Sequence, residues 1–377
     1  MTRDVLIVGG GITGLSLAVH AARRGMSVTL CESGPLGGLS TQRSGALVRT
    51  HYVDPSSARL ALRGLRDFED FAGTYGGPAG FVATGFVYVP EPGEPLRERV
   101  AMLQELGVET SVVDGDEMHA LDPALDLSDV DEVAFEPCSG FADPAVTCAT
   151  LASAARAAGA ELRPGTAVAS LLHADSGVAG ALLADGSMVE AGATVLCAGA
   201  FSPALAAPVG ASIPIRPTAV KLAFIERRVA SHLTVIDAPG GIYLRPDPSG
   251  ATLVGRRTWT DEPLASASAP LPEVDEAFVS EARELLAARL PSAAGAAVVS
   301  TRAGMLDMTP DGLPLVGPSS VDGLWLCCGW SGTGFKTGPA VGDALAAWID
   351  TGEMDPDLAG LVPDREMHAA EAVRSPH

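Results

Sequence analysis

The first 32 residues contain the pattern that most constrains the fold of this chain. An apolar run at residues 5–8 leads into Gly-Gly-Gly-Ile-Thr-Gly at residues 9–14, and a second apolar run ends just before Glu32. This order predicts a strand, a glycine turn, a helix, a second strand and an acid. Gly9 permits the tight turn, Gly11 lets a pyrophosphate approach the backbone, and Gly14 lets the helix and the strand pack closely. The segment therefore predicts a dinucleotide site with the N-terminus of the helix facing the phosphates.

Glu32 gives this glycine motif its specificity. It lies 18 residues after Gly14, where a carboxylate can accept hydrogen bonds from both ribose hydroxyls. A carboxylate at that place disfavours a 2′-phosphate, so the pattern argues against NADP. The alternative is a glycine-rich turn in another kind of α/β protein, and that alternative leaves Glu32 unexplained.

Composition narrows the classes of partner. The 377 residues have a net charge of −21 and 47% hydrophobic residues, which favour two domains with large cores and argue against nucleic acid or an anionic membrane as partners. The first strand begins near residue 4 and leaves no room for a secretory leader, and the six cysteines show no Cys-x-x-Cys or other metal-ligating spacing. The expectation is a cytoplasmic protein with reduced thiols and no metal.

Four further segments, taken with the opening motif, resemble one family. They are Arg302–Gly317, which contains Thr-Pro-Asp-Gly-Leu-Pro; Gly323–Lys336, which contains Ser-Gly-Thr-Gly-Phe-Lys; Ser40–Ala46; and Thr194–Ala200. In this order they resemble the D-amino-acid oxidase superfamily of flavoproteins, most closely the branch of monomeric sarcosine oxidase, glycine oxidase and the amine-dehydrogenase β subunits. The resemblance implies a Rossmann-like FAD-binding domain with a second, mostly antiparallel β-sheet substrate domain.

The resemblance also implies where the domains lie. The FAD-binding domain is expected at residues 1–75, 140–212 and 300–365, the substrate domain at residues 76–139 and 213–299, and a flexible tail at residues 366–377. A C-terminal helix is expected from Pro339 to Ile349.

FAD, bound non-covalently, is the cofactor that the resemblance implies. The loop at residues 40–46 would meet one face of the flavin, and the loop at residues 332–334 would stabilise the negative charge of reduced flavin through backbone N–H groups. Gly304 stands where sarcosine oxidase has the cysteine that bonds to flavin. The expected cofactor residues are Gly9, Gly11, Ile12, Thr13, Gly14, Glu32, Ser40, Thr41, Ser44, Gly45, Ala46, Val168, Ala198, Gly199, Gly304, Gly329, Ser331, Gly332, Thr333, Gly334, Phe335 and Lys336.

Arg49 and Lys336 match the residues that bind the substrate carboxylate in sarcosine oxidase. Lys336 is one of only two lysines in the chain. Glycine oxidases instead use an arginine at the position of Leu306, which cannot bind a carboxylate. The expected catalytic residues are Arg49, Lys336, Tyr243 and His51, with Tyr52, Arg256 and Arg257 as further candidates for the substrate side.

The function implied is oxidation of the C–N bond of an amino acid or N-substituted amino acid to an imine, by hydride transfer to FAD. Its partners would be a small amine or amino acid with a carboxylate, and either oxygen or an electron-acceptor protein. The oxygen-promoting lysine of sarcosine oxidase is replaced by Leu253 in a looser alignment, which slightly favours a dehydrogenase subunit that passes electrons to a partner. A non-catalytic flavin-binding protein is the second alternative.

Overall fold

The computed structural model describes residues 2–174, 177–257 and 262–367. The helices are α1 (Ile12–Arg23), α2 (Pro55–Glu69), α3 (Phe71–Tyr75), α4 (Leu96–Glu105), α5 (Gly115–Leu121), α6 (Pro144–Ala157), α7 (Ser202–Ala206), α8 (Glu276–Arg289) and α9 (Gly334–Thr351). The strands are β1 (Arg3–Val8), β2 (Val28–Cys31), β3 (Leu47–Val48), β4 (Phe86–Val89), β5 (Ser111–Asp114), β6 (Glu132–Glu136), β7 (Gly140–Phe141), β8 (Glu161–Arg163), β9 (Val168–Ala174), β10 (Gly177–Leu183), β11 (Met188–Leu196), β12 (Arg216–Glu226), β13 (Thr234–Asp237), β14 (Ile242–Pro246), β15 (Ala251–Arg256), β16 (Glu262–Pro263), β17 (Val298–Met308), β18 (Leu315–Pro318) and β19 (Leu324–Cys328).

The first sheet has a parallel centre. Its order is β18-β19-β11-β1-β2-β8, with β10 and β9 added beside β11. β1 pairs in parallel with both β2 and β11, and β11 pairs in parallel with β19. The residues Val5–Val8 are buried along the whole run, as a parallel strand covered on both faces requires. Helices α1, α6, α2 and α9 pack together on one side of this sheet.

The second sheet is mostly antiparallel. Its order is β16-β12-β15-β14-β13-β4-β6-β5, with β17 also paired to β12, and the β13–β4 pair is parallel. Helix α8 covers one face through an apolar cluster that includes Val87, Leu244 and Leu286. Phe86 and Tyr88 point to the opposite face of β4, where they pack with Leu47 and Ile236. The chain thus has the predicted α/β class, with a parallel nucleotide-type sheet and a second, mostly antiparallel sheet.

Capping residues define several helix starts. Asp143 accepts hydrogen bonds from two backbone N–H groups at the start of α6, and Pro144 occupies the first helical position. Asp275 caps α8 in the same way. Within the three described ranges, no helix is long and apolar enough to cross a bilayer, and no cluster of three metal-ligating side chains occurs.

The structure differs from the expectation at the start of one helix, and one strand crosses an expected domain boundary. Helix α9 begins at Gly334, five residues before the predicted start, and contains Pro339 in its interior. Strand β17 belongs to the second sheet and spans the expected boundary at residue 300, while the domain limits themselves stay predictions. Residues 368–377 of the expected flexible tail lie outside the described part of the chain.

The parallel strands bring distant segments to one edge of the first sheet. β1 ends at Val8, β2 at Cys31, β11 at Leu196 and β19 at Cys328, and these ends align because the strands run in the same direction. The loops that follow them therefore meet at the edge where open α/β sheets bind ligands.

Candidate functional site

A cavity of about 500 Å³ lies at this edge and extends to the second sheet. Its wall includes many of the residues expected from the sequence. These are Gly9, Gly11, Ile12, Thr13, Glu32, Ser40, Thr41, Ser44, Gly45, Ala46, Arg49, Val168, Ala198, Gly199, Tyr243, Gly332, Gly334, Phe335 and Lys336. Among the described residues, seven expected ones do not line it: Gly14, His51, Tyr52, Gly304, Gly329, Ser331 and Thr333.

The turn between β1 and α1 has the geometry that its glycines predict. Gly9 adopts φ +112°, a left-handed conformation that favours glycine. A Cβ on Gly14 would lie 2.1 Å from the carbonyl oxygen of Gly9, so the helix and the strand approach each other as expected. Gly11 is the N-cap of α1 and provides no side chain to cap the helix. The backbone N–H of Ile12 donates to Thr41 Oγ1 at 3.2 Å, while no N-cap side chain competes with an anionic ligand for the N–H groups that follow.

Glu32 holds this turn in shape as well as lining the cavity. Its carboxylate accepts hydrogen bonds from the backbone N–H of Gly10 at 2.7 Å and of Gly34 at 2.8 Å. The Ser33 hydroxyl also donates to it at 3.0 Å, and because a carboxylate has about four lone-pair sites, one neighbouring hydroxyl can still donate to it. The glycine turn, the open helix start and Glu32 together fit a dinucleotide.

The segment before α9 is shaped by a buried acid that the sequence analysis did not single out. Asp307 accepts a hydrogen bond from the backbone N–H of Gly329 at 2.7 Å, and burial raises the pKa of Asp307 to about 6. Ser331 adopts φ 47°, and its hydroxyl oxygen accepts a hydrogen bond from the backbone N–H of Thr309. Gly329 and Ser331 therefore shape the loop from behind, while Gly332, Gly334 and Phe335 reach the cavity.

The loop at residues 40–46 is fixed against the second sheet. A Cβ on Gly45 would lie 2.6 Å from the ring of Tyr243, so only glycine fits beneath that ring. Arg245, another residue that the sequence analysis missed, donates from Nε to the carbonyl oxygen of Gly45 at 2.6 Å. These contacts place the loop and Tyr243 on the same part of the wall.

Arg49 and Lys336 come from distant segments and converge on the ring of Tyr52. The Arg49 guanidinium lies 4.9 Å and the Lys336 amine 5.6 Å from the centre of that ring. Both side chains are buried, and both line the cavity. In the described part of the chain neither has a carboxylate within ion-pair distance, and the hydrogen bond of Arg49 goes to the carbonyl oxygen of His51.

This environment lowers the pKa of both side chains. Burial, and secondarily the charge of Arg49, lowers the pKa of Lys336 well below its ordinary value. Burial also lowers the pKa of Arg49. An anion in the cavity would oppose both effects, because a nearby opposite charge favours the protonated form.

His51 lies behind the cavity wall. Its ring stacks on Tyr88 with 4.4 Å between the ring centres, and its Nε2 lies 3.4 Å from Arg99. Burial and the charges of Arg99, Arg49 and Arg257 lower the pKa of His51 well below its ordinary value. The structure therefore places an imidazole whose pKa is lowered next to the arginines and does not bring it to the cavity.

Leu306, Gly304 and Leu253 were singled out by comparison with the family pattern. Leu306 lines the cavity, while Gly304 pairs with Val220 of β12 and faces the backbone of Arg43. Leu253 is fully buried in an apolar cluster with Leu222 and Phe224 and is absent from the described cavity wall. The burial of Leu253 does not test which electron acceptor the protein uses, so that expectation stays a prediction.

The fold and the cavity define a dinucleotide-binding α/β protein whose second sheet completes the site. A family model described as FAD dependent oxidoreductase matches residues 4–348. The chain therefore belongs to the family of FAD-dependent oxidoreductases, and its cofactor is FAD.

Similar proteins match this chain over nearly its whole length. Mitochondrial sarcosine dehydrogenase of Homo sapiens is 27% identical over 389 residues, which cover 98% of this chain but 42% of that protein. Glycine oxidase of Pseudomonas putida is 27% identical over 350 residues, covering 90% of this chain and 92% of that one. The crystal structure of L-proline dehydrogenase from P. horikoshii has a TM-score of 0.88 and 25% identity, covering 96% of this chain and 97% of that one. The chain thus spans less than half the length of the mitochondrial relative.

Proposed function

We propose that this protein oxidises the C–N bond of an amino acid or N-substituted amino acid to an imine. FAD supplies the chemistry by accepting a hydride, which leaves the Cα or the N-methyl carbon as the C=N bond forms. The names of two similar proteins, glycine oxidase and sarcosine oxidase subunit beta, support this substrate class.

One observation carries the proposal: Arg49 and Lys336 are buried, line the cavity and both lie within 6 Å of the centre of the Tyr52 ring. Two buried cations repel each other and lose hydration, so their arrangement is costly unless an anion binds between them. A guanidinium can bind a carboxylate through two parallel hydrogen bonds, and the amine adds a point charge. The carboxylate of an amino acid is the simplest ligand that satisfies both.

Such a clamp orients the substrate without a protein base. With the carboxylate fixed, rotation of the substrate is restricted, and the reacting C–H bond can be held in one position. Lys336 would gain a proton as the carboxylate binds, because the new negative charge raises its lowered pKa. The partly buried side chains of Tyr243 and Leu306, which line the same cavity, would limit the access of water to this region.

Anaerobic mixing with a panel of primary, secondary and N-methyl amino acids tests the proposal. Bleaching of the flavin by at least one of them supports it. A flavin that stays oxidised with every member would favour the alternative of a non-catalytic flavin-binding protein.

The electron acceptor needs a separate measurement. Oxygen consumption by the purified chain during turnover would support an oxidase, whereas turnover only with an added acceptor would support a dehydrogenase subunit. We also propose a reducing, cytoplasmic location, with which the six free thiols are compatible.

A further inference from the structure

Arg49 and Lys336 are two buried cations on one part of the cavity wall, and both lie within 6 Å of the centre of the Tyr52 ring. A like charge nearby disfavours the charged form of a titratable group, and burial adds to this effect. An arginine stays protonated in proteins, whereas a lysine readily loses its proton when it is buried. Before substrate binds, the pair is therefore more stable when Lys336 is a neutral amine, which agrees with its lowered pKa.

The helices that pack against Lys336 bring uncharged groups to it. Helix α2 approaches through Gly64, where a Cβ would lie 2.0 Å from the carbonyl oxygen of Lys336. Helix α1 approaches the same turn of α9 through Ile12 and Thr13, whose side chains would lie 3.3 Å from a Cβ on Gly338. In the described part of the chain, the charge that acts on the amine is that of Arg49.

The other titratable groups near this part of the wall are poorly suited to accept a proton. Burial raises the pKa of Tyr52 and of Tyr243 to about 12, so both hydroxyls stay protonated at neutral pH. His51 is absent from the described cavity wall, and its ring stacks on Tyr88. Lys336 is therefore the base that the structure places beside the carboxylate-binding arginine.

The acids of the described wall lie elsewhere, at loops on the edge of the first sheet. Glu32 accepts a hydrogen bond from the backbone N–H of Gly10 in the turn after β1, and Asp307 accepts one from that of Gly329, which follows β19. The remaining charged residues of the described wall are three arginines: Arg43, Arg256 and Arg257.

A free amine base matters because of the state in which an amino acid arrives. Its amino group is protonated at neutral pH. Hydride can leave carbon only as the lone pair of the nitrogen forms the C=N bond, and an ammonium nitrogen has no lone pair. The nitrogen must therefore lose one proton before the C–H bond breaks, although no base is needed for the C–H bond itself.

We propose that Lys336 accepts this proton from the ammonium group of the substrate. One N–H bond of the ammonium group breaks, one N–H bond forms at Nζ of Lys336, and the substrate becomes a neutral amine whose carboxylate lies between two cations. The net charge of the cavity does not change in this step. The inference rests on the proposed function, in which Arg49 and Lys336 bind the carboxylate, and adds the source of the proton that Lys336 gains.

Proton counting with a matched pair of ligands tests the transfer. Isobutyrate has no amine, and 2-aminoisobutyrate has no hydrogen on Cα, so the flavin cannot oxidise either at a C–N bond. Each is mixed with the oxidised holoprotein in weak buffer with a pH indicator, and binding is followed by the flavin absorbance. Isobutyrate should take up about one proton per site from solution at neutral pH, because Lys336 becomes charged. 2-Aminoisobutyrate should take up almost none, because it supplies the proton itself.

Lys336→Met should remove the proton uptake with isobutyrate. Lys221→Met is the control, because the only other lysine is ion-paired with Asp275 and is absent from the described cavity wall; it should take up protons as the wild type does. FAD content and melting temperature show whether each variant is folded.

The pH profile of flavin reduction provides a second measurement. The probe is whichever of sarcosine, glycine and L-proline reduces the flavin fastest without oxygen. Between the pKa of Lys336 and that of the substrate ammonium group, the wild-type rate constant over Kd should be nearly flat. In Lys336→Arg, which keeps the charge but cannot accept a proton, it should rise by about tenfold per pH unit, following the fraction of substrate that is already neutral. Lys336→Met should show the same slope with weaker binding.

The outcomes separate this inference from the proposed function. Isobutyrate that binds without proton uptake would overturn the transfer and leave the carboxylate clamp standing, because Lys336 would then be charged in the empty cavity. Equal uptake with both ligands, or a Lys336→Arg profile as flat as the wild-type one, would also overturn it. If neither ligand binds in a way that depends on Arg49 and Lys336, the clamp is wrong and both proposals fail.

Discussion

Replacement of Lys336 by methionine should stabilise the substrate-free protein and weaken substrate binding at the same time. The amine is buried and lies near the Arg49 guanidinium, and the described part of the chain offers it no hydrogen-bond or ion-pair partner. Burial, followed by the charge of Arg49, lowers the pKa of Lys336 well below its ordinary value. Methionine keeps most of the length of the side chain and removes the charge that is costly to bury.

The size of the stabilisation should depend on pH. Below the pKa that Lys336 has in the folded protein, the amine is protonated in both states and the full cost of burying the charge is present. Between that pKa and the unfolded value of about 10.4, the unfolded chain binds more protons, so wild-type stability rises by about 1.4 kcal/mol per pH unit from this group. The advantage of Lys336→Met should therefore be largest at low pH and disappear near pH ~10.4.

Urea unfolding of the FAD-saturated protein over this pH range measures the effect. Lys221→Met is the matched control, because the only other lysine forms a 2.6 Å ion pair with Asp275 and should lose at most about 1 kcal/mol. Flavin reduction by the best amino acid should fall by at least about 30-fold in Lys336→Met, since loss of one partner of a desolvated charge contact costs about 2–5 kcal/mol. A Lys336→Met protein that is less stable than wild type at neutral pH, yet reduces flavin normally, would refute the reasoning.

Three simpler experiments test the cofactor end of the cavity. Glu32→Arg should lower the FAD retained per chain after dialysis, because each charge-assisted hydrogen bond contributes about 1.5–3 kcal/mol; unchanged retention would contradict the role of Glu32. Gly14→Ala should lower both FAD content and melting temperature, since the new Cβ would lie 2.1 Å from the Gly9 carbonyl oxygen, whereas Gly360→Ala, at an open position, should change neither. Acid precipitation should release all the yellow colour into the supernatant, because Gly304 offers no nucleophile, and colour in the pellet would show a covalent bond to another residue.

The sequence predicted the parts of the fold that depend on local spacing. The β1–turn–α1 unit follows from glycine positions, and the start of α6 follows from Asp143 and Pro144, because both depend on neighbouring backbone groups. The start of α9 depends on tertiary packing instead. A Cβ on Gly338, which precedes the expected start, would lie 3.3 Å from the side chains of Ile12 and Thr13, so this glycine permits close contact between the first turns of α9 and α1. Helix propensity alone could not reveal that contact.

The distinction between local sequence signals and tertiary contacts also decides which site residues could be predicted. Arg49 and Lys336 were found through the family resemblance, and the structure brings both to the cavity wall. Asp307 and Arg245 gave no recognisable signal, because one is a single acid near the end of a strand and the other acts on the backbone of Gly45, 200 residues away. His51 was expected at the site because it is close in sequence to Arg49, but its ring turns toward Tyr88.

Within the described ranges, the buried cations of the cavity, Arg49 and Lys336, lack the carboxylate partner that other buried charges of this chain have. Lys221 and Arg289 also have little exposed side chain, and each has an aspartate within 2.7 Å, as a folded chain requires of a buried charge. Lys336 and Arg49 have no such carboxylate in the described part of the chain, although the chain contains 46 acidic residues that could supply one. A carboxylate from the protein would relieve the cost of burial but would also occupy the place of an anionic substrate. We therefore propose that an anionic substrate compensates for these two charges, because local violations of folding rules persist where a ligand offsets their cost.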